Sequence, residues 1–208
     1  PVALFKGRQA LGCEPLQALW KTANAKALSR FDSLTRTLGL RVYAVDGSWL
    51  NLPHAQALVD AFGRPSAASG KTPMPQLLLV TMDLVNLGWF TDLRLGRCNH
   101  SELALAREMT DSLGKGDLVL GDRLFFQTSW IAALVRRGVE ALLRAAKNRI
   151  TSLTAESIVA VERQRRGGGV IDCEVELKVA TDHHGKPTSL LPLRYIEITI
   201  NGETYCFL

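Results

Sequence analysis

The chain has 208 residues, 47% of them apolar and 22% charged, which places it among ordinary globular proteins with a core of useful size. Its formal net charge of +5 suits a polyanionic partner, and its most apolar stretch, Leu77 to Phe90, is broken by Asp83 and Asn86, which excludes the roughly 18 uninterrupted apolar residues of a membrane span. No charged-then-apolar leader opens it, and Cys13, Cys98, Cys173 and Cys206 are scattered without a zinc or redox spacing, so a cytoplasmic protein with reduced, mostly buried thiols is expected. Pro1 at the start and Tyr205-Cys206-Phe207-Leu208 at the end, strand-like to the last residue, read as cut termini.

Residues 14 to 39 predict a helix, with Leu16, Leu19, Trp20, Ala23 and Ala27 at helical spacing and a stop at Gly39. Arg41 to Asp46 predicts the first strand, closed by Gly47-Ser48. Residues 60 to 76, rich in glycine, proline and serine, predict a long loop. Leu77 to Val85 and Trp89 to Leu95 then form a hairpin around Asn86-Leu87-Gly88. Asn99 and Glu102 have the spacing of a capping box, and Leu103, Ala106, Met109 and Leu113 trace one helical face before Gly114.

Asp117 to Asp122 is an apolar run ending in Gly121 and an acid, a buried strand with a carboxylate at its tip. A helix over about Ser129 to Arg137 and a strand over Ala141 to Ala145 complete an α/β order with a mixed sheet. After Gly167-Gly168-Gly169 the pattern becomes antiparallel β, with Val170 to Ala180, Leu193 to Ile200 and Thr204 to Leu208 as strands and turns at Gly185-Lys186-Pro187 and Asn201-Gly202. The expected organisation is the end of a helical region over 1–40, an α/β core over 41–166, and a β-rich section over 167–208.

Two acids follow predicted strands: Asp46 in Val45-Asp46-Gly47-Ser48 and Asp122 in Leu120-Gly121-Asp122-Arg123. Strand ends are where α/β sheets build sites, and carboxylates there can hold a hard divalent cation that keeps water and phosphate as its other ligands. For either acid alone, turn chemistry is the stronger explanation of the position. The two lie 76 residues apart (122 − 46) and meet only if their strands are neighbours.

Other features carry less. Gly70-Lys71-Thr72 has Pro65 where a phosphate-binding loop needs its first glycine. His183-His184 has no cysteine or acid at ligand spacing. Ser48 has no histidine to activate it, and Asp83, inside an apolar strand, reads as an edge or hydrogen-bonded position that could assist a metal. Six basic residues, Arg123, Arg136, Arg137, Arg144, Lys147 and Arg149, face a single acid, Glu140, between positions 123 and 149. A further basic cluster is Arg163, Arg165 and Arg166.

Taken in order, several segments resemble the insertion-sequence transposases of the IS-four group. They are Val45-Asp46-Gly47-Ser48 with Leu52-Pro53, Asp117-Leu118-Val119-Leu120-Gly121-Asp122-Arg123 with Phe125-Phe126, and Arg144-Ala145-Ala146-Lys147-Asn148. Leu11-Gly12-Cys13-Glu14-Pro15-Leu16, Ala61-Phe62-Gly63-Arg64 and Ser101-Glu102 add to the likeness, which spans nearly the whole chain. The resemblance implies a ribonuclease-H-like mixed sheet with flanking helices plus an antiparallel β insertion. It also implies two aspartates and a glutamate that hold two Mg²⁺ or Mn²⁺ ions.

Asp46 and Asp122 match the aspartates as catalytic and metal-binding residues, and the section from Gly169 onward resembles the start of the insertion. The glutamate belongs to a later Tyr-x-x-Arg-x-x-x-Glu motif that does not occur in these residues, so the chain is expected to be inactive alone. The residue after Asp122-Arg123 is usually glycine or another small or polar residue, and here it is Leu124. The implied partners are transposon-end and target double-stranded DNA, with Arg123, Lys147 and Arg149 placed to contact phosphates and a homodimer formed on the DNA, nucleoid-associated when bound. The competing readings are a ribonuclease-H-like nuclease and a non-catalytic, domesticated DNA-binding protein.

Overall fold

The computed structural model describes residues 2–67, 70–71, 74–145, 158–159, 170–181, 187–200 and 203–207. Two helices open the chain, α1 (Val2–Leu11) and α2 (Glu14–Arg30), followed by a 3₁₀ turn at Asp32–Leu34. The helix predicted to run to Gly39 therefore stops nine residues earlier (39 − 30). Asp32 accepts from the Arg36 guanidinium at 2.8 and 2.9 Å, and Thr35, fully buried, donates to the Asp32 carbonyl, so side-chain bonds close the chain into a turn there. The Asn24 side chain, buried on α2, donates to the Thr91 carbonyl at 3.1 Å and accepts from the Trp89 indole.

The main sheet contains β1 (Arg36–Thr37), β2 (Leu40–Asn51), β5 (Gln76–Leu84), β6 (Trp89–Arg97), β7 (Asp117–Gly121) and β8 (Glu140–Leu143). Between β2 and β5 lie α3 (Gln56–Phe62) and a small hairpin of β3 (Ser66–Ala67) and β4 (Gly70–Lys71), so the segment predicted as loop holds regular structure at both ends. The sheet order is β6-β5-β2-β7-β8, with β1 on β2. β2, β5 and β6 are antiparallel, whereas β7 and β8 run parallel to β2. This mixed sheet with flanking helices is the ribonuclease-H-like arrangement expected from the sequence.

The predicted hairpin is present, and Gly88 supplies the positive φ of 58° that its turn needs. β2 outruns its predicted end at Asp46 because Gly47 to Asn51 continue to pair with β5, opposite Val80 to Gln76.

Two helices cover one face of the sheet: α4 (Glu102–Glu108), which packs on β2, β5 and β6, and α5 (Thr128–Arg136), which packs on β8. The α4 cap is Ser101, whose Oγ accepts from the Ala104 N–H at 3.0 Å, rather than the predicted Asn99. The predicted helical face through Leu113 is split between α4 and a 3₁₀ turn at Thr110–Ser112. Leu78, Val80 and Met82 of β5 point fully buried toward the helices, with Val119, Phe125, Trp130, Leu134 and Leu143. Alternation turns Leu77, Leu79, Thr81 and Asp83, all half-buried, to the opposite face.

A second sheet has the order β12-β11-β10-β9, from β9 (Ile158–Val159), β10 (Val170–Thr181), β11 (Pro187–Ile200) and β12 (Glu203–Phe207). The antiparallel β section read from the sequence is thus present, and its Val175, Leu177, Tyr195 and Cys206 belong to the same hydrophobic cluster as Trp130. The Ala145 N–H donates to the Cys206 carbonyl at 2.8 Å, tying this sheet to the end of β8. The predicted glycine hinge and both predicted turns of the β section, apart from Pro187, lie outside the described residues, as do His183-His184. Cys13 is exposed, Cys98 half-buried and Cys206 buried, so the thiols are less uniformly buried than expected. Among the described residues no helix is long and apolar enough to cross a membrane.

Candidate active site

The two candidate acids stand at the same height on neighbouring strands, Asp46 within β2 and Asp122 just past the end of β7. In the parallel ladder of β2 and β7 the last pair is Val45 opposite Gly121, and Asp46 and Asp122 are the next residue on each strand. Adjacent strands run about 4.8 Å apart, so this register brings together two carboxylates 76 residues apart in sequence. Both residues are exposed, where β7 ends beside a β2 that continues to Asn51.

Each carboxylate also makes a local bond. Asp46 Oδ1 accepts from the Gly47 N–H at 2.8 Å, and Asp122 Oδ1 accepts from the Leu124 N–H at 2.8 Å. Turn chemistry and site chemistry are therefore combined here, because each bond fixes a carboxylate orientation through the following backbone. Leu124, the departure from the usual small or polar residue, is 61% exposed, so its size is accommodated at the surface. Phe125 and Phe126 anchor the loop in the core immediately afterwards.

Two further acids lie close by: Asp83, which the sequence marks as an edge or hydrogen-bonded position that could assist a metal, and Glu102, which it marks only as opening a helix. Glu102, the first residue of α4, has its carboxyl pushed above its ordinary value by burial and then by the charges of Asp46 and Asp122. Its side chain lies directly over Gly47, where a Cβ would meet Glu102 Cδ at 2.4 Å and Cγ at 2.6 Å. Asp83, on β5, is likewise raised, by burial first, against a hydrogen bond from Thr81 that lowers it, and further by the charge of Asp46. Its Oδ1 is buried without a hydrogen-bond partner among the described residues. A third acid, Asp117, is buried and structural: Oδ1 accepts from Arg41 Nε at 2.9 Å and Oδ2 from the Gly114 N–H at 2.9 Å.

The donor chemistry fits a hard divalent cation: every candidate ligand is a carboxylate oxygen, and the negative charges of Asp46 and Asp122 reach Glu102 while that of Asp46 reaches Asp83. Among the described residues, no group of three or more His, Cys, Asp or Glu side chains stands close enough together to hold a metal ion. Of the basic residues, Arg123 is exposed next to Asp122 and Arg144 stacks over the Tyr205 ring, 5.4 Å from its centroid. Arg137 is spent on Asp111 and on the Leu113 carbonyl. Lys147 and Arg149 lie outside the described residues, as do Arg163, Arg165 and Arg166.

The mixed sheet thus sets Asp46, within β2, beside Asp122, just past the end of β7, and comparison with known families says which family the chain belongs to. The family model for the transposase DDE domain matches residues 37–186, and the chain belongs to that family. Among curated proteins none matches the chain. Among solved structures it is similar to the piggyBac transposase in a synaptic complex with hairpin DNA, at 10% identity and a TM-score of 0.37 over 80% of this chain. The chain spans 32% of the length of that protein.

Proposed function

We propose that this chain is the metal-binding part of a DNA transposase of the IS-four group, which cuts transposon-end DNA and joins it to a target by metal-dependent phosphoryl transfer. The observation that carries the reading is the register of β2 and β7, with Asp46 and Asp122 one residue beyond the pair Val45 and Gly121. Bound between these carboxylates, Mg²⁺ or Mn²⁺ would stabilise the attacking and leaving oxygens of an in-line displacement at phosphorus.

The chain's own part is to orient the two acids. The Gly47 and Leu124 N–H groups hold one oxygen of each, and the buried strands behind them resist movement. The third carboxylate of the complete enzyme, and a homodimer on DNA, are assigned to the whole protein rather than to these residues.

The direct test is Mn²⁺ calorimetry on wild type, Asp46→Asn and Asp122→Asn. Loss of binding in both variants is the expected result. Binding indifferent to both substitutions sinks the metal reading and leaves a non-catalytic, DNA-binding member of the family.

Arg123, Lys147 and Arg149 are proposed to contact phosphates of the end DNA. Reversing the charge of Lys147 and Arg149 is expected to weaken binding to end DNA and to reduce the slope of log affinity against log salt by about one per lost contact. An unchanged slope and affinity would remove these two residues from the interface.

A further inference from the structure

Glu102 sits on a different element from either aspartate, and the fold makes specific provision for it. Ser101 caps α4 through the Ala104 N–H, and Leu105 and Ala106, buried beneath the helix, fix α4 on the sheet. Gly47 then leaves the space that the Glu102 side chain occupies: any Cβ at position 47 would lie 2.4 to 2.7 Å from Glu102 Cδ, Cγ and Oε2. A side chain that served only to cover the sheet would be better apolar here, since Glu102 is half-buried.

The local topology gives this carboxylate a route to the site. Strand alternation turns Gly47 toward α4 and Asp46 toward the other face, yet β7 ends at Gly121 while β2 continues to Asn51. Beside Gly47, then, β7 no longer separates the two faces, and the charges of both Asp46 and Asp122 reach Glu102.

We propose that Glu102 is a positioning residue of the metal centre, an outer carboxylate that approaches Asp46 and Asp122 from the α4 side through the gap beyond the end of β7. This rests on the reading of Asp46 and Asp122 as metal ligands. Glu102 adds negative charge and acceptor oxygens behind the two ligands without replacing either of them. Gly47 is its steric counterpart: a Cβ there would displace the carboxylate end of Glu102 from its place across the strand. Outer carboxylates of this kind typically change metal affinity by about tenfold to a hundredfold when removed.

The test is Mn²⁺ titration by calorimetry, paired with the thermal unfolding midpoint of each metal-free variant. Glu102→Gln keeps the shape of the side chain and is expected to weaken Mn²⁺ binding about tenfold or more without lowering the midpoint. Gly47→Ala is expected to push the end of the flexible Glu102 side chain aside and so weaken Mn²⁺ binding, with little change in the midpoint. A Glu102→Gln affinity within about twofold of wild type, alongside loss of binding in Asp46→Asn, would reduce Glu102 to a packing residue and overturn the proposal. Absence of binding in wild type, or binding indifferent to Asp46→Asn, would instead remove the metal reading itself and this role with it.

Discussion

Replacing Trp130 by alanine is expected to cost about 3–5 kcal/mol of unfolding free energy, the range for deleting a large aromatic from a packed core. Trp130 is fully buried on α5, with its ring tilted against Phe125 at a centroid distance of 5.9 Å. Its indole N–H donates to Thr110 Oγ1 at 3.0 Å, so truncation both opens a cavity and removes the partner of a buried hydroxyl. Trp130→Phe separates the two effects: it keeps most of the volume and should lose about 1 kcal/mol for the hydrogen bond, plus a smaller packing term. Denaturant unfolding followed by circular dichroism measures both variants. A Trp130→Ala loss below about 1 kcal/mol would mean that α5 is not anchored as described. Because Phe125 is only three residues beyond Asp122 (125 − 122), the same substitution should also loosen the loop that orients that carboxylate.

The parts of this fold legible in the sequence are those whose signal is local. The hairpin declared itself through two β-rich runs around Asn86-Leu87-Gly88, and the first half of β2 and the whole of β7 through apolar runs that end in an acid. What escaped depends on partners far along the chain. Gly47 to Asn51 look like turn and loop, and they are strand only because β5 pairs with them. The end of α2 is set by the bonds of Asp32 with Arg36 and Thr35, which periodicity does not register. Capping followed the geometry of the first turn, where Ser101 holds a β-region backbone before Glu102, and Asn99 stands two residues too early. Glu102 was visible as a helix-opening residue, but its approach to Asp46 and Asp122 depends on where β7 stops, which no spacing in the sequence encodes.

Asp117 is the clearest case of a residue whose meaning lies at a distance, and it carries the second large effect. It begins the strand that Asp122 follows, and its Cα partner across the parallel ladder is Arg41, with Arg41 Nε 2.9 Å from Asp117 Oδ1. The separation of this ion pair is 76 residues (117 − 41), the same as that of Asp46 and Asp122, five residues further along both strands. The pair at one end of the ladder thus stands in the same register that aligns the two carboxylates at the other. A slip of one residue would turn every side chain of β7 to the other face and carry Asp122 away from Asp46.

The Asp117 side chain is 3% exposed and that of Arg41 26%, so Asp117→Ala leaves a largely desolvated guanidinium and an unanswered Gly114 N–H, and is expected to cost about 3 kcal/mol, the low end for breaking a buried pair. Mn²⁺ affinity should fall with it, although Asp117 touches no ligand. Replacing both partners, Arg41→Met with Asp117→Leu, should recover most of the stability, since apolar pairs of similar volume substitute well for buried ions. If the ion pair sets the register, metal affinity in that double variant should recover less than stability does. Full recovery of both would assign the register to the apolar pairs Tyr43 with Val119 and Val45 with Gly121 instead.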